Sequence, residues 1–135
     1  MQIYQKDFSV AYKKDQSPLT EADLASHHLI CDELIKFYPD IPILSEESAN
    51  IFKLDDENTY FWCVDPLDGT KEFIKKNDEF TVNIALIKNQ QPILGVIGVP
   101  AKNIVYAAVK GEGAFKQQGD NELQKSMLNL RTQII

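Results

Sequence analysis

Between Thr20 and Tyr38, apolar positions recur at three- and four-residue steps. Leu24, His28, Cys31, Leu34 or Ile35, and Tyr38 would share one face of a helix, which Pro39 ends. Ile41-Pro42-Ile43-Leu44 reads as a short strand. Pro42 lacks an N–H for a ladder and so puts that strand at an edge or makes its residue the strand start. Residues 48–59 are polar and acidic, with Asp55, Asp56 and Glu57 following closely on Glu47. The period then changes. Tyr60–Val64 is a continuous apolar run that ends in Asp65-Pro66-Leu67-Asp68-Gly69-Thr70, and a short helix is expected around Lys71–Lys76. Phe80, Val82, Ile84 and Leu86 alternate with Thr81, Asn83 and Ala85, the pattern of a strand with one strong face. Residues 89–92 form a turn, and Ile93–Val99 and Ile104–Val109 are two further strands. Their short connections make them antiparallel. Gly111-Glu112-Gly113-Ala114-Phe115 opens another hairpin arm. Residues 1–16 read as irregular, with Met1–Tyr4 as a frayed end, and residues 120–135 are weakly patterned.

The chain has 135 residues, enough for one domain with a core; 44% are hydrophobic and 25% charged, which fits a soluble globular protein. A formal net charge of −6 argues against holding a nucleic acid polymer through bulk charge. A phosphorylated small molecule would need local help, from a helix N-terminus or from metal cations. Cys31 and Cys63 lie in apolar runs without metal-ligand spacing and read as buried free thiols. No run approaches the roughly 18 apolar residues of a membrane span and no signal peptide is visible, so a reducing cytoplasm is expected.

The candidate chemistry sits where the Tyr60–Val64 run stops. Asp65 and Asp68 flank Pro66-Leu67, and proline, with no N–H and a fixed φ, is expected to end the strand there. A three-residue step around a turn can aim both carboxylates, and the Leu67 carbonyl between them, at one point. Such a hard-oxygen set suits Mg²⁺. Gly69 permits positive φ or close approach of a ligand, and Thr70 opens a helix whose N-terminal N–H groups suit a phosphate. Asp-Pro and Asp-Gly are also ordinary turn dipeptides, and Asp68 could simply cap a helix. A second acidic pair, Glu46-Glu47, follows the Ile43-Leu44 strand and could complete a cation site or be a solvated loop. Asp23, three residues after Thr20, has the spacing of a capping box.

Together, "SPLTEAD" (17–23), "SEE" (45–47), "DPLDGTKEF" (65–73) and "GEGAF" (111–115) resemble the inositol-monophosphatase-like phosphatases in order and spacing. Lys71-Glu72-Phe73 and "EFTVNIALI" (79–87) look like the bacterial 3′(2′),5′-bisphosphate nucleotidase branch. The resemblance covers the chain to about residue 120 and implies an α/β, layered α+β fold. It implies an antiparallel sheet flanked by helices, the N-terminal half of the sugar-phosphatase fold. It implies a Mg²⁺-dependent, lithium-sensitive enzyme class. Glu46, Asp65 and the Leu67 carbonyl would hold one Mg²⁺, and Asp65 and Asp68 would help hold a second. Asp23 and Thr70 would orient and activate the attacking water, with Glu46 beside them, and Leu67 through Thr70 would line the phosphate. The implied substrate is adenosine 3′,5′-bisphosphate. The alternatives are an inositol-phosphate phosphatase or a non-catalytic Mg²⁺-binding fragment. Family members are roughly twice as long and carry a further metal-binding aspartate in a tryptophan-aspartate motif; here the sole tryptophan, Trp62, precedes Cys63. The resemblance thus makes residues 1–135 an N-terminal metal-binding domain, with weak activity alone and exposed apolar surface that favours self-association.

Overall fold

A computed structural model describes residues 1–15, 18–48 and 60–125. The acidic stretch at 49–59 and the tail at 126–135 lie outside the described residues. A small hairpin pairs β1 (Val10–Tyr12) with β2 (Pro18–Thr20), antiparallel, Val10 opposite Thr20. Helix α1 (Glu21–Phe37) follows at once. The rest is one sheet of seven strands in spatial order β3 to β9: β3 (Ile43–Ser45), β4 (Tyr60–Asp68), β5 (Thr81–Lys88), β6 (Gln91–Val99), β7 (Ile104–Val109), β8 (Gly113–Gln118) and β9 (Gln124–Lys125). Only β3 with β4 is parallel; every other neighbour pair is antiparallel. A second helix, α2 (Thr70–Lys75), leaves the end of β4. The α/β class with a largely antiparallel sheet stands, and the strand behind Pro42 is indeed an edge strand.

Helix α1 starts because Thr20, extended at φ −110° and ψ 164°, caps it reciprocally with Asp23, and Glu21 and Asp23 place negative charge in the first turn. It ends at Tyr38, whose N–H still bonds the Leu34 carbonyl, just before Pro39. The face it buries is not the one the apolar spacing predicts. Ala22 and Asp23 are buried, and Ser26, His27, Ile30, Cys31 and Leu34 are half-buried, whereas Leu24, His28, Ile35 and Tyr38 are exposed. The helix lies against β4, with the rings of Tyr38 and Trp62 at 5.6 Å.

Three further expectations need correction. β4 does not stop at Pro66. It runs to Asp68 through a register shift, pairing Asp65 with Asn83 and then Asp68 with Thr81. Pro66 and Leu67 form a bulge, where a residue without an N–H costs no ladder bond. β5 has no single strong face, since all eight of its residues are half-buried. Both cysteines are free, yet Cys63 is exposed and Cys31 only half-buried. Alternation along β4 puts Trp62 and Val64 on one face and Cys63 on the other.

The core lies behind the bulge. Tyr4, Phe73 and Phe80 pack with ring centroids 4.9–5.0 Å apart, joined by Leu67 and Ala22. Tyr4, expected in a frayed end, is 9% exposed, and its hydroxyl donates to Asp78 Oδ1 at 2.7 Å. This cluster anchors the turn that carries the carboxylates.

Candidate metal and phosphate site

Parallel pairing brings the ends of β3 and β4 side by side, Ser45 opposite Val64. The residues just beyond, Glu46 and Asp65, therefore come together. The Glu46 N–H bonds the Val64 carbonyl at 3.0 Å and fixes the backbone there. Asp65 is half-buried, and its carboxyl is pushed up to about 6. Burial is the main cause; the negative charges of Glu46 and Asp68 and a hydrogen bond with Glu46 add to it, while the Leu67 N–H, 3.2 Å away, opposes it. Three acids thus share one corner, with Asp65 half-buried and Asp68 and the Glu46 side chain exposed. Of the Glu46-Glu47 pair, Glu46 is the one that faces Asp65. Glu47 has its side chain 8% exposed and is held by Lys13 Nζ at 2.6 Å, whereas the Glu46 side chain is 54% exposed.

Lys13 also reaches Glu46 Oε1 at 3.3 Å, and Asp68 Oδ2 accepts a long bond from Asn83 Nδ2 at 3.4 Å. Lys13 and Asn83 thus partner the two carboxylates that flank Asp65. Among the described residues no three His, Cys, Asp or Glu side chains form a group that could hold a metal ion. The donor chemistry nevertheless fits a hard divalent cation: three carboxylates and a carbonyl, oxygen only, with the accumulated charge holding Asp65 toward its neutral form. Glu46, Asp65, Asp68 and the Leu67 carbonyl are the residues that would hold it.

The Asp23 carboxylate, 1% exposed, has two jobs at once. Its Oδ2 accepts the Thr20 N–H at 2.8 Å, closing the capping box, and its Oδ1 accepts the Thr70 hydroxyl at 3.0 Å. The capping reading and the long-range reading are both met. Thr70 lies 3.3 Å from the Leu67 carbonyl as well, so one hydroxyl sits between the acid and the candidate ligand. Gly69 makes the corner: its φ is +90°, and a Cβ there would lie 2.8 Å from the Glu79 carbonyl oxygen. As N-cap of α2 it makes no side-chain cap bond, which leaves the first-turn N–H groups without a capping side chain.

Two residues absent from the sequence reading complete the frame. Ser26 Oγ donates to the Pro66 carbonyl at 2.7 Å, and His27 Nδ1 lies 2.8 Å from Ser45 Oγ. With Asp23 they form one polar face of α1, at steps of three and four residues. That face ties the helix to the start of α2, to the bulge and to the end of β3.

The chain is similar to known proteins in both sequence and fold. The inositol monophosphatase family matches residues 1–133. The 3′(2′),5′-bisphosphate nucleotidase CysQ of Shigella flexneri is 50% identical over 120 residues, 87% of this chain and 48% of that protein. The Haemophilus influenzae protein of the same name is 39% identical over 131 residues, 95% and 49% of the two chains. Among solved structures, CysQ from Bacteroides thetaiotaomicron has a TM-score of 0.67 at 45% identity, covering 83% of this chain and 42% of that one. The extragenic suppressor protein SuhB from Bartonella henselae has a TM-score of 0.77 at 32% identity, covering 87% and 46%. The chain spans about half the length of the curated relatives it matches. On the family match, the co-ordered motifs and the shared fold, this chain belongs to the inositol monophosphatase family.

Proposed function

We propose that these residues form the catalytic half-site of a Mg²⁺-dependent phosphomonoesterase acting on adenosine 3′,5′-bisphosphate, yielding AMP and phosphate. The observation that carries the reading is the bond between Asp23 and Thr70, 47 residues apart, beside the Glu46, Asp65 and Asp68 carboxylates. A capping box alone does not need Thr70. The names of the relatives support the nucleotidase substrate. When bound, Mg²⁺ supplies positive charge at the phosphate and acidifies water there. The chain's own contribution is placement. Asp23 orients the Thr70 hydroxyl, whose oxygen is left as the acceptor that aligns an attacking water. Such alignment is worth more than the basicity of either group. Gly69, at φ +90° and packed against Glu79 and Phe80, makes the turn that leads into the N–H groups opening α2, which would meet the phosphate.

The test is phosphate release from adenosine 3′,5′-bisphosphate and from inositol 1-phosphate, with and without Mg²⁺. Release from the nucleotide is expected to exceed that from inositol phosphate, to require Mg²⁺, and to fall most with Asp65→Asn. Equal rates without Mg²⁺, or a preference for inositol phosphate, would contradict the reading.

A further inference from the structure

We propose that His27 is a positioning residue for Glu46, acting through Ser45. The inference rests on Glu46 being a cation ligand, as in the proposed function, and adds a residue that the reading does not require.

Ser45 ends β3 and is 4% exposed. On the sheet side, its strand is held by β4: Ser45 pairs with Val64, and the next N–H, that of Glu46, bonds the Val64 carbonyl at 3.0 Å. Backbone bonds of this kind set the level of Glu46 along the sheet. They do not fix the tilt of the strand end relative to the helix layer, because β3 is a three-residue strand that, among the described residues, has no neighbour on its other side. The His27 ring supplies that second constraint. Its Nδ1 lies 2.8 Å from Ser45 Oγ, and the ring is half-buried on the α1 face that also carries Asp23 and Ser26. Asp23 fixes the same face to Thr70, so the distance from Glu46 to the phosphate corner is set through one rigid helix. The Glu46 side chain, 54% exposed, meets Lys13 Nζ at 3.3 Å and Asp65, and its placement also depends on its backbone being held. Buried polar atoms are expensive to leave unpaired, which makes the His27–Ser45 bond persistent rather than incidental.

A structural bond alone would contribute to folding and nothing else. A positioning bond must act on cation affinity. Outer partners of metal ligands contribute about 10–100-fold to affinity when they touch the ligand itself. His27 works one residue away, so roughly tenfold is expected.

The experiment is titration of the 135-residue chain with Mg²⁺ alone, read by calorimetry, with melting temperature recorded in parallel. His27→Ala is expected to weaken Mg²⁺ binding about tenfold, and Ser45→Ala to match it. The double variant should be no weaker than either single one, because both break the same link. His27→Asn, whose amide falls close to Nδ1, should recover most of the affinity. Should His27→Ala fail to fold, the smaller Ser45→Ala change and the Asn variant carry the comparison. Loss of melting temperature with unchanged Mg²⁺ affinity in Ser45→Ala overturns the positioning role while Glu46→Gln still weakens binding. If Glu46→Gln changes nothing either, the metal reading itself falls, and the proposal with it.

Discussion

Asp65 titrates near 6 instead of the ordinary 3.8 because burial and the negative charges of Glu46 and Asp68 disfavour its ionised form. The fold therefore prefers the neutral acid. The stability this group contributes is fully present below about 3.8 and is lost as pH rises through about 6. Mg²⁺ reverses the preference, since a ligand carboxylate must be ionised. Without the metal, the melting temperature should fall between about pH 4 and pH 6 and level off above, by an amount that Asp65→Asn removes. The stabilisation produced by added Mg²⁺ should grow over the same range, and a response to Mg²⁺ that is equal at both pH values would contradict the assignment. Asp23 makes a separate prediction at this scale. Asp23→Asn keeps the shape but puts an amide where two donors need acceptors, so unfolding in urea should show a loss of about 1–2 kcal/mol. Thr70→Val removes the long-range bond and the contact with the Leu67 carbonyl, leaves the cap in place and should cost less. Equal costs would mean that the cap contributes nothing. The sequence spacing could not separate these two roles of Asp23. Thr20 and Asp23 look the same whether the acid also reaches Thr70 or not, and the deciding partner is 47 residues away.

At the scale of elements, the strands from β3 to β8 and both helices were legible because their signals are local. Period-two runs, turn dipeptides and the Thr20 cap depend on neighbours in the chain. The orientation of α1 was not legible. Large apolar residues surround the helix, with Leu24, Leu29, Ile35 and Phe37 all exposed, so the face read from Leu24, His28 and Tyr38 was not the one that turns inward. The face that turns inward is partly polar, and Asp23, Ser26 and His27 there make long-range bonds to α2, β4 and β3. Those bonds exist only once the helix is laid on the sheet. The hairpin of β1 and β2 was missed for a related reason: three residues per strand give too few alternations to read. The corner between β4 and α2 carries its own prediction. Gly69 has a φ of +90° and a backbone oxygen 2.8 Å from where a Cβ would stand. Gly69→Ala must strain the dihedral and push the Glu79 carbonyl away, at a cost of about 1–3 kcal/mol. Gly95→Ala, where a Cβ meets nothing within 4 Å and φ is not positive, is the control and should stay within about 0.5 kcal/mol.

On the scale of the whole molecule, the fold buries less than its sequence composition invites. Trp62 and Val64 continue across the sheet, through the pairings of β4 to β8, into Ile84, Leu86, Val96, Leu94, Ala107 and Phe115 on the same face. The helix α1 lies over the β4 end of that face, and the strands beyond are half-buried rather than closed. Between α1 and the sheet a cavity of about 350 Å³ remains, lined by Ala25, Leu29 and Val82 among others. Leu29, at its rim, is 68% exposed, and Phe37 on the same helix is 64% exposed. Single exposed apolar residues are ordinary, but a continuous open face beside a helix with two bare flanks is not. The purified chain is therefore expected to associate with itself as concentration rises, which sedimentation velocity over a range of concentrations measures. Leu29→Glu places a charge at the mouth of the cavity, removes little buried area and should leave the melting temperature nearly unchanged while reducing the associated fraction. A monomer at every concentration would show that α1 and the open sheet face are tolerated by water as they stand. Association that Leu29→Glu does not alter would move the contact to the other face, where Ile97 and Tyr106 are exposed at 47% and 41%.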